Sequence, residues 1–286
     1  MIRDTISTKQ RIVIGIFAVL LMLVGYNYLS YRQHQIEPKD TTIPTMTQFQ
    51  EGIKQFTAVD IHGERWITKD ARTTIKRLFA GLSLSLFFGF GLGILIGCKA
   101  RWYAFFYPII AFASSIAPTA AIAIFFVMVG TGFEMYVAMI IFGVMPILTQ
   151  NVCDEVKNFP IELLNKARSW GATEMELVWN IIIPHILPRA IMSFCLQIGP
   201  AIVYLIPAEM LVGHDGFGYR IRLASKLQNM NIVYPYLIML ALFLIGFRNS
   251  LTELVKILFP WYSDSDSHIL NFIKWLKSFY NKLKIN

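Results

Sequence analysis

The sequence predicts an all-α integral membrane protein with six transmembrane helices, and three observations carry that prediction. First, 55% of the 286 residues are hydrophobic and only 15% charged, where soluble domains carry about 25% charged residues. Second, the apolar residues come in blocks, most of them near the ~20 residues a helix needs to cross a bilayer. Third, the intervals between blocks are polar or charged. The formal charge of +8, from 26 Lys and Arg against 18 Asp and Glu, then points to anionic lipid headgroups rather than nucleic acid as the partner.

The first block, 12–29, follows Arg3, Lys9 and Arg11 and ends at Tyr26, Tyr28 and Tyr31. It reads as a retained anchor, because it is long and closes on an interfacial aromatic cluster instead of a small-residue cleavage site. Residues 1–31 are therefore the anchor and 32–72, with Pro38, Asp40, Pro44, Asp60 and Glu64, an extracytoplasmic segment. The second span, 78–98, stops at Lys99 and Arg101, charges that are costly inside lipid. The third, 103–129, holds Pro118 in its middle, where a missing helix hydrogen bond predicts a kink. The fourth, 135–149, contains Pro146 and is short for a crossing.

Residues 152–188 change character, with Asp154, Glu155, Lys157, Glu162, Lys166, Arg168, Glu174 and Glu176 among apolar residues at helical spacing. They predict a folded aqueous loop. The fifth span, 190–210, is interrupted by Gly199, Pro200 and Pro207; a polar loop, 212–231, leads to the sixth, 232–254. The Lys and Arg bias weakly favours both termini inside, with Lys99, Arg101 and the 152–189 loop on the same side. Arg72, Lys76 and Arg77, at the mouth of the second span, weigh against it. After the core, 73–262, the tail 263–286 sets Ile269, Phe272, Ile273, Leu276, Phe279, Tyr280 and Leu283 on one helical face beside four lysines. That pattern suits a helix lying on the inner membrane surface or docked on a partner subunit.

Several chemistries are excluded by pattern. Gly89, Gly91, Gly93 and Gly97 lack the strand before them and the GK[ST] that a phosphate loop requires, so they read as close helix packing. His34, His62, His185, His214 and His268 form no catalytic or ligand cluster. Cys98, Cys153 and Cys195 have no metal-ligand or disulfide spacing. The sequence thus predicts no catalytic residue, no metal site and no cofactor in this chain, and carries no nucleotide-binding signature, so that if the chain moves a solute uphill the energy must come from elsewhere. Two other classes were weighed: a membrane enzyme would need polar residues clustered at one interface, and an ion-coupled secondary transporter would need buried carboxylates near the midplane.

The most informative stretch runs from Asn165 to Pro188. It reads as two short amphipathic helices around a glycine turn, with Leu163, Leu164 and Ala167 before Gly171, and Met175, Val178, Trp179 and Ile182 after it. The prolines are expected to stop the second helix. Ala167, Gly171, Ile181 and Pro184 match in register the E-A-A-x-x-x-G-x9-I-x-L-P signature, with Ile183 for its leucine and Asn165-Lys166 in place of Glu-Ala. In this the chain resembles the membrane-spanning permease subunits of bacterial ABC importers of the binding-protein-dependent type. Ala208-Glu209-Met210, Gly216-Phe217-Gly218-Tyr219 and Pro260-Trp261-Tyr262 extend the resemblance over about residues 70 to 262, most closely to the nitrate/sulfonate/taurine branch.

The resemblance implies a type I importer (MetI-like) core in the cytoplasmic (inner) membrane, with its coupling loop in the cytoplasm. It also implies two cytoplasmic ATPase subunits, a second permease copy, as in a homodimer, and an extracytoplasmic solute-binding protein. The solute would be a small one such as a sulfonate, nitrate or bicarbonate. Ala167, Gly171, Ala172, Met175, Trp179, Ile181 and Pro184 would form the ATPase coupling loop. Glu209 reads either as a path or gate residue or as an interfacial carboxylate paired with a neighbour such as Arg220. Ser114, Ser115, Thr119 and Gln197 are the other polar groups at membrane depth; they line a path or, for the hydroxyls, bond back to helix carbonyls.

Overall fold

The computed structural model describes residues 8–36, 41–56, 65–259 and 261. The predicted surface helix of the tail lies outside them. The described residues are helical throughout, in the order α1 (Thr8–Ile36), α2 (Met46–Phe56), α3 (Trp66–Cys98), α4 (Ala100–Ser115), α5 (Ile122–Val129), α6 (Phe133–Lys157), α7 (Ile161–Ser169), α8 (Glu174–Glu176), a π segment (Leu177–Ile182), α9 (Ile183–Val212), α10 (Phe217–Lys226) and α11 (Met230–Leu258). They divide into two compact units, Met1–Lys69 with Arg220–Met239, and Asp70–Tyr219 with Leu240–Asn286.

In the first unit α1 presents an almost wholly exposed apolar surface, as a lipid-facing helix does. Ser30, buried in this helix, donates to the Ile43 carbonyl (3.1 Å), and the Tyr26 hydroxyl donates to that of Pro44 (2.7 Å). The chain returning along α1 enters α2 through a capping box. The Gln48 amide donates to the Thr45 hydroxyl (3.4 Å), and the Gln48 side-chain oxygen accepts from the Thr45 amide (3.0 Å). Gly52 then lies so close to the Asn231 carbonyl that a Cβ would collide with it.

The second unit is built on α3, α6 and α9. The face of α3 that meets α6 is made of small residues. A Cβ on Gly81 would come 2.6 Å from Ile140, one on Gly89 3.1 Å from Leu148, one on Gly93 2.6 Å from Val152 and one on Gly97 2.8 Å from Val156. Both partners ascend together, so α3 and α6 run parallel. The expected close packing is therefore present, and Gly91, with nothing within 4 Å, lies off that face. Across α6, Gly143 accommodates Tyr204 near one end of α9 and Glu155 meets Arg189 (2.8 Å) near the other. That makes α9 antiparallel to α6.

Two parallel spans need a return between them, and α4 with α5 supplies it: the Lys157 ammonium lies 3.8 Å from the centre of the Tyr103 ring, and the Phe125 and Phe142 rings sit 5.4 Å apart. Here the predicted single kinked span is corrected. Residues 116–121 leave the helix altogether, with Ile116 extended, because Pro118 cannot donate a hydrogen bond and disfavours helical geometry at the residue before it. Five helices among the described residues are therefore long and apolar enough to cross a membrane, where six had been predicted.

Two other boundaries differ. The short fourth span is α6, a helix of 25 residues that takes in the start of the expected loop. Nor do the prolines end the helix after Gly171: the helix runs unbroken for 39 residues, Glu174–Val212. The π segment ends at Ile182, one residue before Ile183-Pro184, with the Ile183 amide donating to the Val178 carbonyl; such a widened turn is one way to absorb a proline in a continuous helix. Pro188, Pro200 and Pro207 lie inside α9 without breaking it, as packed membrane helices tolerate.

Candidate functional site

The turn between α7 and α8 is locally determined. The Gly171 amide donates to the Arg168 carbonyl (2.9 Å) and the Ala172 amide to that of Ala167 (3.2 Å), the paired bonds of a Schellman cap. Gly171 has φ +88° and no neighbour within 4 Å of where a Cβ would be. Backbone conformation, not space, therefore selects glycine. One residue later Thr173 starts the next helix with a second capping box: the Glu176 amide donates to its hydroxyl (3.4 Å) while the Glu176 carboxylate accepts from the Thr173 amide (2.8 Å). Arg168 and Glu174 tie the two arms together at 3.0 Å.

The knuckle is anchored on its inner side and bare on its outer side. Leu177, Ile182 and Phe159 are buried, and Phe159 stacks edge-on to His185. Trp170, Met175 and Trp179 are 80%, 69% and 62% exposed. Of the predicted loop residues, Met175, Trp179 and the exposed Pro184 face outward; Ala167, Ala172 and Ile181 are half-buried, and Gly171 makes the bend. Ile182, which the sequence places among the apolar residues of the second loop helix, is buried in the interior. Indole and thioether surface presented this way on a rigid turn is suited to insertion into an apolar groove.

Glu209 lies toward the opposite end of the same long helix, fully buried. It does not pair with Arg220, whose guanidinium lies 4.2 Å over the Trp66 ring. Its carboxylate accepts from Arg77 Nη1 (2.8 Å), from the Thr74 hydroxyl (3.0 Å to either oxygen) and from the Gly218 amide (3.0 Å). Asp70, Thr74 and Arg77 were missed as functional residues. Their signal was available: three polar side chains at helical intervals of four and three, continuing the buried face of an apolar span, require polar partners.

The remaining predicted path residues separate. Ser114 and Ser115 both donate to the Ala111 carbonyl, at 2.8 and 2.9 Å, which satisfies them within their own helix. Thr119 is half-buried in the break beside Pro118. Gln197, within α9, keeps a buried side-chain oxygen with no protein hydrogen bond, and so has polar capacity available to water, solute or another chain. Among the described residues no group of acidic, histidine or cysteine side chains is arranged to hold a metal ion.

Comparison with known proteins places this geometry in context. The family model described as binding-protein-dependent transport system inner membrane component matches residues 89–263. The taurine transport system permease protein of Escherichia coli K12 is 21% identical over 191 residues, covering 67% of this chain and 70% of that one. The formylaminopyrimidine transport permease protein of Halalkalibacterium halodurans is 24% identical over 189 residues (66% and 75%). A bicarbonate transport system permease protein of Synechocystis is 30% identical over 175 residues (60% of each). Among solved structures, a chain of the inward-facing MetNI methionine ABC transporter superposes with a TM-score of 0.57 at 20% identity, covering 66% of this chain and 94% of that one.

Proposed function

Because the chain belongs to the family of binding-protein-dependent transport system inner membrane components, we propose that it is driven by two cytoplasmic ATPase subunits gripping the knuckle at 161–182. The observation that carries this is the Gly171 turn. Two helix caps fix a bend whose outer surface is Trp170, Met175 and Trp179, and exposed apolar surface of that kind calls for a protein partner. The knuckle, Lys99, Arg101, Lys157 and Arg189 share one end of the core, and under the positive-inside rule that end is cytoplasmic. Glu209 and the α9–α10 turn then lie on the extracytoplasmic side, and both termini are read as inside.

A second permease copy completes the path, with Gln197 among its polar residues, and a solute-binding protein delivers the solute from outside. The solute is a small polar molecule, an anion such as a sulfonate or bicarbonate; the relatives named for taurine and bicarbonate transport support that class. Nucleotide-driven closure of the ATPases moves both knuckles and tips the bundles between inward-open and outward-open states, a two-state equilibrium biased by ATP and by the loaded binding protein.

The test is a photo-crosslinking side chain at Met175 in membranes of the native cell. The expected adduct is a subunit that also labels with azido-ATP, lost when the crosslinker is moved to the lipid-facing Leu20. An adduct with lipid alone would overturn the reading.

A further inference from the structure

α3 begins with a polar stretch whose inward face is buried. Asp70 is 1% exposed, and Thr74 and Arg77 are buried with it. These side chains converge on the turn that joins α9 to α10. The Gly216 amide donates to Asp70 (3.2 Å), the Phe217 amide to the Thr74 hydroxyl (3.0 Å) and the Gly218 amide to Glu209 (3.0 Å). A helix leaves its first amides without internal partners and carries partial positive charge there. In α10 the Phe217 and Gly218 amides, with the Gly216 amide just before them, are satisfied by groups borrowed from α3 and α9.

Arg77 holds the borrowed anions together. Nη1 donates to Glu209 (2.8 Å) and to the Asp215 carbonyl (3.1 Å), Nη2 donates to the Asp215 carboxylate (2.7 Å), and the guanidinium lies 4.0 Å over the Tyr136 ring. A planar fork with two separated nitrogens makes these contacts while stacking on the ring; a lysine has three donors but on a single nitrogen, and lacks that geometry. Gly216, at φ +101°, completes the fit, since a Cβ there would come 2.7 Å from the Glu209 carboxylate.

We propose that Arg77 is a positioning residue for transport: with Asp70 and Thr74 it forms a socket on α3 that seats Glu209 and the first turn of α10. The socket closes the core at the end opposite the coupling knuckle. This rests on the transport reading above and extends it. Glu209, having no exposed surface, acts as the anion of that closure and not as a group the solute touches.

Two measurements test it. Hydrogen exchange on the full-length chain in lipid nanodiscs reads the amides of 216–218, and uptake of radiolabelled taurine and bicarbonate reads transport in cells expressing the complete system. Arg77→Met strands a buried carboxylate, which should speed exchange by about 100-fold and abolish uptake at equal membrane abundance. Arg77→Lys should fall between. Arg77→Met/Glu209→Gln removes the buried Arg77–Glu209 pair, leaves the part-exposed Asp215 carboxylate to water, and should return exchange to within about threefold of the parent and restore uptake in part, since no buried charge is left unpaired.

A merely structural role for Arg77 would lower uptake only in step with membrane abundance and thermal midpoint, so loss of uptake by Arg77→Lys at parental abundance and midpoint is what marks positioning. Parental exchange and uptake in Arg77→Met, or a paired variant no better than Arg77→Met, would overturn the proposal. If the parent itself takes up neither probe, the substrate class proposed above is what fails, and the exchange series still decides the socket.

Discussion

The coupling turn gives the most direct quantitative prediction, because only one property of Gly171 constrains it. Its φ is +88° and a Cβ would meet nothing within 4 Å, so a substitution costs backbone strain without steric conflict in the chain itself. An L-residue in the left-handed region costs about 1–2 kcal/mol, which is a factor of about 5–30 in population. In the function proposed above, the ATPase binds the knuckle in this conformation. Its apparent affinity should then fall by up to the same factor, since a partner that selects one state is weakened by that state's scarcity.

Asparagine tolerates positive φ better than alanine, and a β-branched residue tolerates it least. The expected order of affinity is Gly171, then Gly171→Asn, Gly171→Ala and Gly171→Val. The assay titrates detergent-solubilised permease with its ATPase subunit and compares Kd across the series, with membrane abundance as the control for folding. If Gly171→Val binds as tightly as the parent, or Gly171→Asn is as weak as Gly171→Val, conformation is not what the turn contributes and the reasoning is wrong.

Other expectations follow from the same geometry. Gly93→Ala should lower the thermal midpoint of the solubilised chain, because its Cβ would sit 2.6 Å from the Val152 Cβ and overpacking costs about 1–3 kcal/mol; Val152→Ala, which removes only the Cγ1 at 2.7 Å, should recover it in part at most. Gly91→Ala, with open space around it, should be neutral or slightly stabilising by scanning calorimetry. Trp170→Ala/Trp179→Ala should leave insertion and thermal stability unchanged while ATPase co-purification falls by roughly 30-fold or more, as for exposed aromatic anchors. Thr173→Ala should remove the capping box and cost about 1 kcal/mol of local helix stability, read as faster amide exchange over 174–178.

The sequence makes the spans legible because lipid imposes a length and a composition, and both are written in the apolar runs. It makes the knuckle legible because Gly171, Thr173 and Glu176 are local signals a few residues apart. What it hides is long-range or depends on context. Pro118 and Pro184 are the same residue type in apolar surroundings, yet the first breaks α4 from α5 and the second is absorbed after a π segment; the outcome depends on packing that only the fold supplies. Arg77 looks like one more surface cation at the mouth of a span until Glu209, 132 positions away, is seen beside it.

Read together, the continuous helix gives the knuckle and the socket a physical connection. Met175 and Glu209 lie on one helical run, Glu174–Val212, and at about 1.5 Å per residue the separation along its axis is roughly 50 Å, more than the hydrocarbon thickness. Had the prolines ended that helix, as the sequence suggested, a flexible joint would separate the ATPase contact from the outer closure, and motion at one end would dissipate before reaching the other. With the helix intact, displacement of the knuckle tilts or rotates the residue to which Arg77 is bound. The α3–α6 interface, close-packed through Gly81, Gly89, Gly93 and Gly97, supplies the fixed frame against which α9 can move. On the proposed function and socket, the ion pair would be the element through which rigid-body motion of α9 is registered at the far side of the membrane, because a buried charge pair resists small displacements and yields only when both partners are re-solvated.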